Sequence, residues 1–171
     1  MTPADHRIRV VDARLYFLPV QMRMPLKFGN QVLTSVTCAR VCVTVEGADG
    51  RRAEGWGETP LSVGWVWPAD IDYEDRHEAL KDFTSLLTRA LPDFSREGHP
   101  LEIGHAFIEE QLHALQDRFN EERSEEGALP HLAALVCFSP LDLAVYDAFG
   151  NLHGVPVFET LGVDYLEPEL D

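Results

Sequence analysis

The chain changes its hydrophobic period once, and that change divides it. Among charged residues from Ile8 to Phe17, the apolar Ile8, Val10, Leu15 and Phe17 recur with an imperfect period of two. From Ser35 to Glu46 the alternation is clean. Val36, Cys38, Arg40, Cys42 and Thr44 make one face, and Thr37, Ala39, Val41, Val43 and Val45 make the other. Alternation at every second residue marks a strand. Gly47-Ala48-Asp49-Gly50 supplies residues that tolerate positive φ, so the chain turns there and returns as a third strand over Arg52–Glu58. The period then becomes helical. Leu80, Phe83, Leu87 and Leu91 form one stripe closed by Pro92, and Ile108, Leu112, Leu115 and Phe119 form a second. Leu132 to Val145 is apolar at nearly every position, as expected of a helix covered on most sides. Inside it, Ser139-Pro140 pairs an N-cap residue with a proline suited to the first helical turn, which predicts a restart there. Gly154 and Pro156 stop the helix. Strands first and helices second define an α+β domain: a three-stranded antiparallel sheet followed by a helical bundle.

Two stretches fit neither period. Pro19 to Thr34 holds Pro25, Gly29 and Asn30, and Thr59 to Asp72 holds Pro60, Gly64, Trp65, Trp67 and Pro68. Long connections inside a compact domain are often functional. A polar patch from Glu121 to Gly127 reads as a solvated helix end and loop.

Composition narrows the partners. The chain has 171 residues, 45% hydrophobic and 25% charged, enough for one domain with a core of its own. Fourteen Lys and Arg stand against 29 Asp and Glu, a formal charge of −15 that repels nucleic acid. No stretch reaches the ~20 apolar residues of a membrane span, and Met1 to Val20 lacks a signal-peptide run, so a soluble, cytoplasmic protein is expected. Cys38 and Cys42, four apart on a strand, sit about 13 Å from one another, beyond disulfide reach. With Cys137 they are expected to be buried and reduced. His105, Glu109 and His113 mimic metal ligands, but the two histidines lie about 12 Å apart along a helix and cannot share an ion. Asp142 and Asp147 point about 140° apart and read as structural. No catalytic or metal residue is assigned.

The segment from Ser139 to Gly162 carries a resemblance. Asp142, Ala144, Tyr146, Asp147, Gly150, Gly154, Pro156, Leu161 and Gly162 fall on a pattern written loosely A-(I/L/V)-D-x-A-L-W-D-(L/I)-x-G-K-x-x-G-x-P-(L/V)-x-x-L-L-G. Pro140, Tyr146, Asn151 and Thr160 depart from it. Upstream, Gly55-Trp56-Gly57-Glu58 followed by Thr59-Pro60 matches a Gly-x-Gly-Glu strand end. In this order the motifs resemble the N-terminal capping domain of the enolase superfamily, of the mandelate racemase and muconate lactonizing type. The resemblance covers about Ile8 to Gly162.

It implies a capping domain over residues 1–162 and a tail over 163–171 that begins the connection to a barrel. Family members abstract a proton α to a carboxylate with the help of Mg²⁺, and run as isomerases or lyases. The groups that do so sit on a (β/α)₈-type barrel of roughly 200 or more residues. The chain is therefore expected to hold no cofactor and to be inactive by itself. The two irregular stretches correspond to loops that close over the barrel mouth and choose the substrate; the resemblance makes Lys27, Phe28, Trp65 and Trp67 their substrate-facing candidates, Lys27 to meet a carboxylate and Trp65 or Trp67 to cover an apolar part. The implied partners are the barrel, a small carboxylate substrate and further copies of the chain in a homo-oligomer. The apolar Leu132–Val145 segment would supply the docking face, with the tail loosely held. The alternative is a stand-alone binding or interaction module that kept the fold and lost catalysis.

Overall fold

The computed structural model describes residues 5–28 and 31–166. Three strands form one antiparallel sheet in sequence order: β1 (Ile8–Phe28), β2 (Gln31–Gly47) and β3 (Arg52–Pro60). The clean alternation of β2 does what the pattern requires. Ala39, Val41, Val43 and Val45 are fully buried on the inner face, while Arg40 is exposed on the outer one. The imperfect period of β1 also has a cause. Val10 pairs with Val45 and Asp12 with Thr44, so Val11 is an extra residue in a bulge. One inserted residue exchanges the two faces. Ile8 and Val10 before the bulge and Leu15 and Phe17 after it therefore all join the same core.

Four helices follow a short turn of helix, α1 (Val63–Val66). They are α2 (Tyr73–Ala90), α3 (Pro100–Phe107), α4 (His113–Asn120) and α5 (His131–His153). Asp72 caps α2 by accepting the Glu74 N–H at 2.8 Å, and Pro92 ends it in a 3₁₀ turn over Leu91–Asp93. A π-helical turn over Ile108–Leu112 joins α3 to α4, so the second apolar stripe belongs to one interrupted helix. The C-terminal stop is as read: Gly154 adopts φ +70°.

α5 is the centre of the fold. It lies across β3 and β2 on one side and against α2 and α3 on the other. Gly55 and Gly57 face it from β3. A Cβ on Gly55 would come within 2.0 Å of the Ala148 nitrogen, and one on Gly57 within 2.1 Å of the Pro140 carbonyl oxygen. Helix backbone thus rests directly on strand backbone, with Ala144 and Ala148 as the small residues opposite. Asp147 and Asn151, one turn apart, then serve the open edge of β3. Asp147 accepts the Trp56 N–H at 2.8 Å, and Asn151 donates to the Glu54 carbonyl at 2.9 Å. An edge strand left with bare peptide groups invites foreign pairing, and these two side chains fill that role from within.

Four expectations change. Pro19–Thr34 is strand rather than loop: β1 and β2 pair out to Phe28 and Gln31, with Gly29 and Asn30 outside the described residues. Prolines and a bulge hid it, for residues 22–25 stand opposite Thr34 alone. No restart occurs at Ser139-Pro140; α5 runs straight through, because the sheet and the helices hold both halves in line. Ser139 instead accepts a hydrogen bond from Thr59 Oγ1 at 3.0 Å. The apolar character of Leu132–Val145 is used inside the domain, with Leu132 and Leu143 as its exposed large side chains. Nor is the start of the tail loose: Tyr165 packs on His6, Phe149 and His153, and residues 167–171 lie outside the described part. As expected, Cys38, Cys42 and Cys137 are buried and free, and burial pushes the Cys137 thiol up to about 12.

Alanine at Gly55 or Gly57 should force α5 off the sheet and cost at least about 3 kcal/mol, where alanine at Gly162 should cost under about 1. Gly162 has only an ordinary contact of 3.5 Å to meet. Urea unfolding of the three variants measures the difference.

Candidate functional site

Both sequence stretches singled out for a ligand leave the same end of the sheet. β3 stops at Pro60, opposite Cys38, and the next residue, Leu61, donates its N–H to the Thr37 carbonyl at 2.8 Å. Beyond Thr37, β1 and β2 continue alone as a two-stranded ribbon. Lys27 pairs with Val32, five residues past that base, which places it about 17 Å out at ~3.4 Å per residue. Among the described ribbon residues, Val20, Met24, Leu26 and Val32 are exposed, Met24 by 79%. A two-stranded ribbon with no third layer is marginal by itself, so this is the part of the fold that costs least to move. Lys27 is exposed, and no carboxylate pairs with it among the described residues. The side chain of Phe28 lies outside what is described.

The second stretch is built differently. Leu61, Val63, Val66 and Trp67 are buried, so four apolar anchors pin this short segment to the core. Trp67 is only 4% exposed and is a core residue, a correction to its expected place on the ligand side. Trp65, on the opposite side of the turn, is 50% exposed and keeps its ring outward. Arg76 of α2, a residue the sequence pattern did not single out, fixes the far end. Its buried guanidinium donates to the Trp67 carbonyl and also to the Asp72 carbonyl, which accepts the Arg76 N–H as well, and so ties the end of this segment to the first turn of α2. The apparent surplus of tryptophan is thus divided into one support and one surface ring.

The other candidates lie apart from this end. Glu74, His77 and Glu78 on α2 bring ligand atoms within 4.8 Å of one another. Lys81 already holds both Glu78 oxygens, at 2.7 and 3.0 Å, on an exposed face. A set with one imidazole and a paired carboxylate does not fit Mg²⁺, which asks for hard oxygens in octahedral geometry. His105 and Glu109 are exposed, and His113 stacks on His131 at 4.7 Å. On the outer sheet face, Arg40, Trp56, Gly57 and Glu58 bound an open depression of about 430 Å³, and Arg40 is already paired with Glu58 at 2.6 Å.

Asp142 and Asp147 do diverge. Asp147 is spent on the β3 edge, whereas Asp142 presses on α3: a Cβ on Gly104 would meet its Oδ1 at 2.4 Å. Burial, with no cation beside it, lifts the Asp142 carboxyl to about 6. The neighbouring Tyr146 hydroxyl is pushed up to about 12, by burial first and by the charge of Asp142 second.

These features define an α+β domain that offers a protruding two-stranded ribbon and an anchored turn at one end of its sheet. No family model and no curated protein matches the sequence. Solved structures do. L-talarate/galactarate dehydratase from Salmonella typhimurium LT2, liganded with Mg and L-lyxarohydroxamate, is 18% identical. The match covers 95% of this chain and 35% of that one, with a TM-score of 0.52. Dipeptide epimerase from Enterococcus faecalis V583, complexed with Mg and the dipeptide L-Leu-L-Tyr, is 13% identical over 90% of this chain and 34% of that one, with a TM-score of 0.51. Identity at this level speaks to fold. The chain has the fold of the N-terminal domain of enolase-superfamily enzymes, and spans about a third of the length of the structures it matches.

Two outcomes follow for the isolated chain. Trp67→Ala should cost about 3–5 kcal/mol and Trp65→Ala less than about 1, by urea unfolding. The folded-state pKa of Asp142 lies above its unfolded value of 3.8, so the folded form gains stability as pH falls from about 6 towards 4. Asp142→Asn should therefore stabilise the chain at pH 7.5, by about 1–3 kcal/mol after discounting for its partial exposure, and make little difference at pH 4.

Proposed function

We propose that this chain is the capping and substrate-specificity domain of an enolase-superfamily enzyme of the mandelate racemase and muconate lactonizing type. That enzyme abstracts a proton α to a carboxylate and works as an isomerase or lyase. The supporting observation is the shared placement of the two stretches: an extended ribbon and a pinned turn that leave one end of one sheet. A lid needs a part that swings and a part that stays, and these two supply them.

On this reading the ribbon tip and Trp65 close over the mouth of a barrel. Closure excludes water, which strengthens every charge interaction at a reacting carbon. Lys27, exposed and about 17 Å from the ribbon base, meets the substrate carboxylate, and Trp65 covers an apolar part of the same small molecule. The acid and base groups and the Mg²⁺ of the reaction belong to the barrel, since the donor set on α2 does not suit that ion. The chain by itself then catalyses nothing. The exposed Phe158, Leu161 and Val163 favour burial against the barrel or against a second copy in a homo-oligomer, in a soluble cytoplasmic enzyme.

Carboxylic acids screened in D₂O with Mg²⁺ test the reading. The chain together with its barrel should place deuterium at the α carbon, and the 171-residue chain alone should not. In the whole enzyme, Lys27→Ala or Trp65→Ala should shift the ratio of kcat/KM between two substrates by about tenfold, a difference of about 1.4 kcal/mol, with little change in stability. Wild-type selectivity in both variants would remove the lid role. Deuterium uptake by this chain alone would falsify its dependence on a barrel.

A further inference from the structure

One group of rings takes no part in the lid. His99, at the head of α3, caps that helix with its side chain: Nδ1 accepts the Leu101 N–H at 3.1 Å, while Glu102 accepts the His99 N–H at 2.8 Å. The other ring nitrogen, Nε2, lies 3.0 Å from the Thr160 carbonyl. A backbone N–H can only donate and a carbonyl can only accept. Nδ1 must therefore be bare and Nε2 must carry hydrogen, so both contacts specify the neutral ring. Thr160 belongs to the 3₁₀ turn Val157–Leu161, the segment that follows α5. His99 thus ties the start of α3 to the last described stretch of the chain.

The same stretch is held a second time, by the same kind of side chain. Phe149 of α5 stands 4.9 Å from the His99 ring and 4.5 Å from His153. Tyr165 closes over this row, 4.6 Å from His6 and 5.5 Å from His153, and His6 lies 4.9 Å from His153. His6 Nδ1 and His153 Nε2 are buried without a hydrogen-bond partner among the described residues. A neutral imidazole tolerates such a place at moderate cost, but an imidazolium there would be a desolvated charge beside another of the same sign.

We propose that His99, supported by His153, is a pH-released latch that holds the segment Val157–Leu166 on the body of the domain only while the His99 and His153 rings are neutral. Protonation of His99 would turn Nδ1 from acceptor to donor, setting two N–H groups against one another at the positive end of α3. The cap is lost, and with it the placement of Nε2 on Thr160. The groups that face the latch do not offset this. His99 meets Glu102 of its own helix, Tyr146 and Phe149 of α5 and the Thr160 carbonyl. Around His153 stand His6, Tyr165, and Arg51 and Asp49 from the β2–β3 turn.

The direction of titration agrees with the geometry. Burial is the largest influence on His99 and holds it below its ordinary value, against the opposing Thr160 carbonyl and Glu102. Burial likewise lowers His153, and the charge of His6 adds to it. A histidine whose folded pKa is depressed stabilises fully above the unfolded pKa of about 6.5 and loses that contribution as pH falls through it. Asp142 changes stability the other way over part of this range, so global unfolding would blur the two. A local readout is needed.

Hydrogen exchange of the whole chain at pH 7.5 and 5.5, corrected for intrinsic rates, supplies it. Protection at the bonded amides of Glu159, Gly162, Tyr165 and Leu166 should fall by about tenfold or more at the lower pH, while Val41 and Val43 in β2 stay protected. His99→Asn keeps a side-chain acceptor for the Leu101 N–H but cannot titrate, and His153→Phe keeps a ring without a proton. In each variant the pH-dependent loss should shrink to about threefold or less. Equal protection of the wild-type segment at both pH values overturns the latch, as does a wild-type loss in both variants. If His99→Asn does not fold, NMR titration of the wild-type ring decides: a protonated His99 with the segment still protected also overturns it.

Discussion

The contact on which everything else rests is the bare approach of α5 to β3. Helices normally stand about 10 Å from a sheet because side chains of both intervene. Here Gly55 and Gly57 remove the strand's side chains, and Ala144 and Ala148 nearly remove the helix's. Two consequences follow from that short distance. Asp147 and Asn151 are close enough to bond the outer peptide groups of β3, so one helix both covers the sheet and closes its edge. In addition, Pro140 can be carried inside a helix that would otherwise break, because packing on two sides holds the chain in line where one backbone hydrogen bond is missing.

With the outer edge of β3 served by α5, the sheet continues past the end of β3 as β1 and β2 alone. That is where the ribbon lies. Its base shares the core through Phe17 and Ala39, and its far half shares nothing. The second stretch begins at the same base but turns back, and Trp67 and Arg76 hold it. Rigidity at one stretch and freedom at the other are thus products of how far each runs from the same buried row of residues. The functional proposal uses that difference and needs no reactive group in the domain.

Charge is arranged with similar economy. On the outer sheet face Arg9 and Arg52 meet Glu46 and Arg40 meets Glu58, each between neighbouring strands, while Arg14 of β1 reaches across β2 to Glu54 of β3. Such exposed pairs are each worth at most about 1 kcal/mol. Their stems cover Cys38 and Cys42, which are buried although they point away from the main core. A set of groups shifted by burial lies where α3, α5 and the last segment meet. Asp142, His99 and His153 are there, held by packing rather than by counter-charges.

The sequence by itself determined what is local. Period two and period 3.6, the Gly47–Gly50 turn, the Pro92 and Gly154 stops and the buried thiols follow from one residue's relation to its near neighbours, and the structure has them all. The resemblance carried by Asp142 to Gly162 and by Gly55 to Glu58 reached the fold because those residues make the α5–β3 contact, although nothing in their spacing states that they touch. Of the candidate site, Trp65 and Lys27 were legible as exposed, but Trp67 was not legible as core, since an isolated tryptophan in an irregular stretch has no period to read. The ribbon was hidden for the same reason: a bulge of four residues and two prolines erase alternation, and only cross-strand pairing with β2 restores the register. The latch rings come from residues 6, 99, 149, 153 and 165, distances along the chain that no local pattern spans. Tertiary structure decided these because burial and hydrogen-bond partners are properties of where chain segments meet, and the order of residues alone does not contain them.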